Sequence, residues 1–100
     1  MSAPPYVLRY TQEAEKVIGE LGKPQYAVKL KKVRKTLRLL RDVGPSHPGL
    51  NSHRYQSVPG PGGAALWESY VENSTPSAWR IWWIYGQPDE IIVVTVGPHP

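Results

Sequence analysis

The strongest pattern along the chain is a pair of apolar runs, residues 79–85 and 91–96, separated by the polar loop QPDE. Runs rich in β-branched and aromatic residues on either side of a short loop predict a β-hairpin. The second run is apolar at nearly every position, which is typical of a strand buried on both faces. The only charge in the first run is Arg80. Strand alternation places it on the face of Trp82 and away from a second set of residues, Trp79, Ile81, Trp83 and Tyr85.

The beginning of the chain predicts a short strand followed by an amphipathic helix. Residues 6–10 alternate in the manner of a strand. Thr11 is a suitable N-cap residue for the helix, which we expect to end at Gly22. Apolar residues fall at positions i, i+3, i+4 and i+7 of this helix and form one stripe that faces a core: Ala14, Val17, Ile18 and Leu21.

A second helix is predicted to begin near Pro24 and to end at the Gly44-Pro45 pair. Because few residues separate the two helices, we expect them to pack as an antiparallel pair. Intervals of four and three predict one buried seam along the second helix, formed by Tyr26, Leu30, Val33, Leu37 and Leu40.

The remaining chain predicts further strands and completes the fold class. Residues 44–63 are rich in proline and glycine and contain a possible short strand at 53–58, and residues 64–72 alternate as a better strand. The order is then a strand, two helices, and three or four strands. This order predicts an α+β fold in which one mainly antiparallel sheet carries the helix pair on one face and leaves the other face open. We expect residues 1–5 to be a disordered lead and residues 6–100 to form a single domain.

Composition excludes several classes of site. The chain has 100 residues, no cysteine and three histidines, none of them at ligand spacing from another. Disulfides and thiolate metal sites are therefore impossible, a structural zinc site is disfavoured, and we expect neither a metal nor another cofactor. No run is long enough to span a membrane and no signal segment begins the chain. These absences predict a cytoplasmic protein without a membrane partner.

Positive charge is concentrated in the second helix. The net charge is +4, and no acidic residue lies between Glu20 and Asp42. A solvated helix face is one interpretation; an anionic partner, either nucleic acid or an acidic protein, is the one we favour. Three of these residues are candidate contacts to a nucleic-acid substrate: Lys31, Lys35 and Arg38. The whole set contains eight of the twelve basic residues: Lys23, Lys29, Lys31, Lys32, Arg34, Lys35, Arg38 and Arg41.

The order of these elements, together with the segments HPGLNSHRYQS, LWESYV, AWRIWWIY and IIVVTVGPHP, resembles the RelE/ParE superfamily of bacterial type II toxins. The resemblance extends from Tyr6 to Pro100. It implies a toxin with an acidic cognate antitoxin. One branch of the family cleaves messenger RNA at the ribosome without a metal, which inhibits translation and growth. The ParE branch instead binds and inhibits DNA gyrase, so the resemblance leaves both an endoribonuclease and a non-enzymatic toxin open.

The endoribonuclease branch implies roles for two residues. Arg80 occupies the place of the family's strand arginine, which would hold the scissile phosphate. The alternative is an arginine paired with Glu68 or with a carbonyl group. His99 resembles the family's C-terminal general acid toward the departing 5′ oxygen, and imidazole is suited to that work near neutral pH. The alternative for His99 is a frayed tail between two prolines.

The general base is left open by the sequence. Candidates are His53 and Glu68, with His47 as a weaker choice. Each has an ordinary structural alternative: Glu68 as a cross-strand ion-pair partner, and His53 as an exposed residue at a strand end.

Three further residues are candidate substrate contacts. Arg54 could add a contact to phosphate. Trp82 shares a strand face with Arg80 and could stack on an exposed base. Tyr70 stands where many relatives carry an arginine, which leaves room for a weak nuclease or for a toxin that acts by binding.

Overall fold

A computed structural model describes residues 3–100, which form two helices and one five-stranded sheet. The predicted α+β fold class is confirmed. Residues 3–5 are exposed and lie outside the helices and strands, whereas Met1 and Ser2 of the predicted lead lie outside the described residues. The division of the chain at residue 5 stays a prediction. The elements are β1 (Val7–Tyr10), α1 (Gln12–Glu20), α2 (Ala27–Asp42), β2 (His53–Arg54), β3 (Trp67–Tyr70), β4 (Trp79–Tyr85) and β5 (Glu90–Pro98).

The sheet has the strand order β1-β5-β4-β3-β2, and only β1 and β5 pair in parallel. The predicted hairpin of β4 and β5 is present and contains a bulge: Trp82 faces Thr95, whereas Trp83 faces Val93. Val94 is the extra residue, and it shifts the alternation of β5 by one position. The bulge thereby keeps on one face the residues that pack in the helix-side core: Ile91, Val93 and Val96.

Thr11 caps α1 and also attaches it to the sheet. Its Oγ1 accepts a hydrogen bond from the N–H of Ala14 at 3.1 Å and donates one to the carbonyl oxygen of Val94 at 2.5 Å. Glu13 and Glu15 lie in the first turn, where negative charge is favourable. One hydroxyl group therefore fixes both the start of the helix and its position over β5.

The helix α2 follows a 3₁₀ turn, Pro24–Tyr26. Val33, Leu37 and Leu40 are buried in the predicted seam, and Leu30 packs partly against it. The prediction that Tyr26 belongs to the buried seam is wrong, since this residue is 43% exposed. A 3₁₀ turn has three residues per turn, so the seam does not continue backward through it. No helix of residues 3–100 is both long and apolar enough to cross a membrane.

The main core lies between the helix pair and one face of the sheet. Trp83 is fully buried there, and its ring stacks on that of Trp67 with the centroids 5.7 Å apart. The indole N–H of Trp83 donates to Oγ of Ser69 at 2.8 Å, which in turn shares a hydrogen bond with Ser52. Leu50, in a 3₁₀ turn of the loop-rich region, also enters this core, which the loop pattern did not predict.

The opposite face of the sheet is less open than predicted. Part of it is covered by residues 55–66, which form a second apolar cluster with β4 and β5. The predicted strand at 53–58 is reduced to two residues. The covering has a clear cause, because the outward-facing positions of β4 include large apolar side chains that must be removed from water. The buried members of the cluster are Leu66, Trp82 and Ile84.

Close approach of the covering segment to the sheet depends on Gly60. Its N–H donates to the carbonyl oxygen of Ala64 at 2.8 Å. A Cβ atom at this position would lie 2.8 Å from Cγ2 of Ile84 and 3.1 Å from the same carbonyl oxygen. Since real Cβ atoms essentially never approach within 3.0 Å, any larger residue would displace this segment.

We expect Gly60→Ala to lower the free energy of unfolding by about 1–3 kcal/mol, the usual cost of overpacking. The matched control is Gly19→Ala in α1, where an added Cβ atom meets nothing within 4 Å. This control should raise stability by about 0.5–1 kcal/mol, because alanine favours a helix. Urea denaturation measures both values. If the two substitutions changed the free energy of unfolding equally, the close contact of residues 55–66 with the sheet would not depend on Gly60.

Candidate active site

Two histidines and one glutamate form a cluster on the sheet face opposite the helices. Nε2 of His53 lies 2.8 Å from Oε1 of Glu68, and Nε2 of His99 lies 3.8 Å from Oε2 of the same carboxylate. The Glu68 side chain is 3% exposed, whereas the two imidazoles are 44% and 45% exposed. The cluster therefore consists of a buried carboxylate between two imidazoles that are accessible from solvent.

Backbone pairing positions all three side chains. His53 and Glu68 face each other in the register of β2 and β3. His99 directly follows β5, and its N–H donates to the carbonyl oxygen of Ala78, the residue before β4, at 2.9 Å, a contact that a frayed tail would lack. Nδ1 of His53 lies 2.7 Å from the carbonyl oxygen of Asn51. The His53 ring therefore lies between the carbonyl oxygen of Asn51 and the carboxylate of Glu68, and these two contacts orient it.

Arg80 lies beside this cluster, linked to it by Tyr70. The guanidinium carbon is 3.6 Å from the centroid of the Tyr70 ring, whose other neighbour is the His53 ring at 5.8 Å. Nη1 of Arg80 donates to the carbonyl oxygens of Glu72 at 2.6 Å and of Trp79 at 3.1 Å. These contacts fix the arginine in one position.

Arg80 has no acidic partner within residues 3–100. It is 8% exposed, yet none of the ion pairs that the described residues form involves it, and its Nε atom is buried without a hydrogen bond. Of the two pairings considered from the sequence, the one with a carbonyl group is present and the one with Glu68 is absent. A buried cation without a counter-charge is costly, and an anionic ligand would remove that cost.

Several other predicted site residues lie elsewhere. Arg54 faces Trp67 in the register and its guanidinium lies 5.7 Å from that ring, so it is on the helix-side face, opposite to the face of Arg80. His47 is not part of the cluster, because its Nδ1 accepts a hydrogen bond from Gly49 in a 3₁₀ turn. The three remaining residues belong to α2, which packs on the other face of the sheet: Lys31, Lys35 and Arg38. Of these, Lys35 lines one groove together with Tyr70.

Trp82 is on the predicted face but is only 7% exposed. The ring of Tyr55 packs edge-on against it with the centroids 5.8 Å apart. The prediction that Trp82 offers an open ring to a stacked base is therefore wrong. The strand pattern placed the residue correctly, but it could not show that residues 55–66 fold over this part of the sheet.

Glu72 is an important residue that the sequence analysis missed. Its carboxylate accepts hydrogen bonds from Nζ of Lys29 at 2.6 Å, from Nζ of Lys32 at 3.0 Å and from the N–H of Trp79 at 3.1 Å. The hydrogen bond from Lys29 is the main cause that lowers the pKa of Glu72 to about 2. Its carbonyl group holds Arg80, so Glu72 connects α2 to the candidate site. The available signal was the absence of acidic residues between Glu20 and Asp42, which favours counter-charges from elsewhere in the chain.

We expect Glu72→Gln to lower the free energy of unfolding at pH 7 by about 2 kcal/mol. The folded pKa lies below the ordinary value of 4.5, so the stabilisation is present above about pH 4.5 and is lost as the pH falls toward 2. The difference between variant and wild type should therefore shrink in acid. Urea unfolding at several pH values tests this.

The control for that experiment is Glu20→Gln, which removes an exposed ion pair with Lys23. It should cause no comparable loss at pH 7. A difference between Glu72→Gln and wild type that stays constant from pH 7 to pH 2.5 would contradict the proposed charge interaction.

The described residues contain no group of three His, Cys, Asp or Glu side chains arranged to hold a metal ion. No protein-family model and no curated protein matches the chain in sequence.

The fold does match solved structures. The YoeB dimer from Staphylococcus aureus matches with a TM-score of 0.69 and 9% identity over 96% of this chain and 99% of that chain. YafQ from E. coli matches with a TM-score of 0.65 and 15% identity over 94% and 93% of the two chains. A chain of the E. coli DinJ-YafQ toxin-antitoxin complex matches with a TM-score of 0.62 and 16% identity over 95% of this chain and 93% of that chain. The chain therefore has the RelE-like α+β fold of YoeB and YafQ, and its resemblance to the RelE/ParE superfamily is confirmed for the fold.

Proposed function

We propose that this protein is the toxin of a type II toxin-antitoxin system and a metal-free endoribonuclease that cleaves messenger RNA at the ribosome in the cytoplasm, which stops translation and growth. The supporting observation is the convergence of His53 and His99 on the buried carboxylate of Glu68, next to an arginine without an acidic partner. The fold supports the toxin assignment, since YafQ with this fold occurs in a toxin-antitoxin complex.

The unpaired atoms of the cluster suit the reacting groups of RNA. Oε2 of Glu68 is a buried acceptor without a hydrogen bond, and Nε of Arg80 is a buried donor without one. A ribose 2′ hydroxyl can donate to the first atom, and a phosphate oxygen can accept from the second. Because His99 makes no hydrogen bond to Glu68 and its side chain is 45% exposed, a substrate can displace it from that carboxylate.

The proposed reaction is a transesterification. Glu68 takes the proton from the 2′ hydroxyl, and the 2′ oxygen forms a bond to the adjacent phosphorus. The bond from phosphorus to the 5′ oxygen breaks, and His99 gives a proton to that leaving oxygen. The products are a 2′,3′-cyclic phosphate and a 5′ hydroxyl group. His53 orients Glu68, and Arg80 stabilises the charge that develops on the phosphate.

We expect Glu68→Gln and His99→Gln each to reduce RNA cleavage by roughly 100-fold or more, the range for loss of general acid-base catalysis. The matched control is His47→Gln, which changes a histidine outside the cluster and should leave cleavage near the wild-type rate. The assay follows messenger RNA in a purified translation reaction and identifies the cyclic phosphate end. Folding of each variant is checked by circular dichroism. Unchanged cleavage by both cluster variants would refute the assignment.

We further propose that an acidic antitoxin binds the groove between the end of α1 and α2. This groove has a volume of about 500 Å³ and is lined by Leu21, Ala27 and Leu30. Lys29 and Lys32 are paired with Glu72, whereas four cations at the groove form no ion pair with described residues: Lys31, Arg34, Lys35 and Arg38. An acidic segment would complement both their charge and the apolar floor.

The double variant Lys31→Glu, Arg38→Glu should weaken inhibition by an acidic antitoxin encoded in the neighbouring reading frame, while RNA cleavage stays unchanged. Charge repulsion replaces attraction at the groove, but the catalytic cluster lies on the other side of the sheet. Growth rescue by the coexpressed antitoxin measures the effect. The control, Lys16→Glu on α1, lies outside the groove lining. Full rescue of the double variant would contradict this location.

The alternative of a gyrase-binding toxin is not favoured by the structural comparisons.

A further inference from the structure

A second groove lies on the sheet face that carries the candidate active site. Its volume is about 370 Å³, which is within the usual range of small-ligand pockets, about 300–1,000 Å³. Its walls are almost entirely apolar and include a tyrosine ring and four prolines. A flat, apolar ligand would fit such walls, and the residues that matter for its recognition are Tyr55, Val58, Leu66, Trp82, Thr95 and Pro98.

One polar atom in this region has no hydrogen-bond partner among residues 3–100. The indole N–H of Trp82 is buried and makes no hydrogen bond, although Trp82 lines the groove. An indole nitrogen can only donate, so its complement is an acceptor atom. Thr95 faces Trp82 in the strand register and adds a hydroxyl group, which can donate or accept.

The groove adjoins the catalytic cluster. Glu68 faces Trp82 across β3 and β4, and cross-strand neighbours have Cα atoms about 5 Å apart. His99 stands between Pro98 and Pro100, both of which line the groove. A ligand that placed a phosphate at Arg80 and a ribose hydroxyl at Glu68 would therefore have its next chemical group within reach of this groove.

We propose that the groove binds the base of a nucleotide next to the scissile phosphate, and that the N–H of Trp82 donates a hydrogen bond to an acceptor on the edge of that base. Every nucleobase carries such acceptors, and its flat faces suit contact with tyrosine and proline. The role of Trp82 is thus recognition of an edge, not stacking. This inference rests on the proposed RNA substrate and specifies where one base binds.

The test measures binding to an RNA tetranucleotide in which 2′-O-methyl groups prevent cleavage. In four further probes, one nucleotide at a time lacks its base. We expect one of these probes to bind wild-type protein about tenfold more weakly than the complete tetranucleotide, the usual scale for one bound base.

Val58→Trp places a large ring in the groove and should remove that tenfold difference between the probes. Val58 is 54% exposed, so the change should not disturb folding. The matched control is Val28→Trp, an equally large change at a residue of α2 that is 71% exposed, and it should preserve the difference.

Two further variants address the hydrogen bond. Trp82→Phe removes the N–H donor, and Thr95→Val removes the hydroxyl group with little change in volume. Each should weaken binding of the complete tetranucleotide several-fold and leave binding of the critical base-free probe unchanged. If Trp82→Phe fails to fold, Thr95→Val and Val58→Trp still test whether a base binds in the groove.

The outcomes separate this inference from the proposed function. If RNA is cleaved but all base-free probes bind like the complete one, the base site is refuted and the endoribonuclease stands. If the tetranucleotide does not bind and RNA is not cleaved, both proposals fail. If Val58→Trp leaves RNA binding unchanged but abolishes antitoxin binding, the groove is a protein docking surface, and the base site is again refuted.

Discussion

Pairing of β4 with antiparallel neighbours on both edges is the constraint on which the other features of the molecule depend. It fixes the alternation of the strand, so that Ile81 and Trp83 enter the helix-side core while Arg80 faces away from it. The apolar face holds β4 in place through burial, and that burial keeps a cation at the centre of the sheet despite its cost. The candidate site is therefore a consequence of the packing on the opposite face.

Glu72 adds a second connection between the two sides of the sheet. Its carboxylate is held by Lys29 and Lys32 of α2, and its carbonyl group holds Nη1 of Arg80. A charge interaction on the helix side thereby fixes the backbone oxygen that positions the arginine. The same pairing explains why the basic surface of α2 is not uniform, because Lys29 and Lys32 already have a counter-charge, whereas Lys31 and Lys35 form no ion pair with any described residue.

Most of the fold could be predicted from the sequence because its signals are local. Alternation in β4, the cap at Thr11 and the seam of α2 from Leu30 onward each act within a few residues, and the structure contains them. The structure brings Glu68 together with His53 and His99, whereas it covers the ring of Trp82, although Glu68 and Trp82 share one face of the sheet. The covering of Trp82 depends on contacts between residues far apart in the sequence. The segment that covers it has no periodic pattern, and the path of that segment depends on the close contact of Gly60 with the sheet.

Three buried polar atoms without hydrogen bonds are present in the described residues, and all three belong to side chains on the same face of the sheet: Oε2 of Glu68, Nε of Arg80 and Nε1 of Trp82. In a protein that functions without a ligand, each of these atoms would only lower the stability of the fold, since buried polar groups are normally paired. Their kinds are an acceptor, a cationic donor and a neutral donor. A ribose hydroxyl, a phosphate and the edge of a base are the matching groups, and a ribonucleotide carries all three on one short framework. The set therefore supports the RNA substrate proposed above.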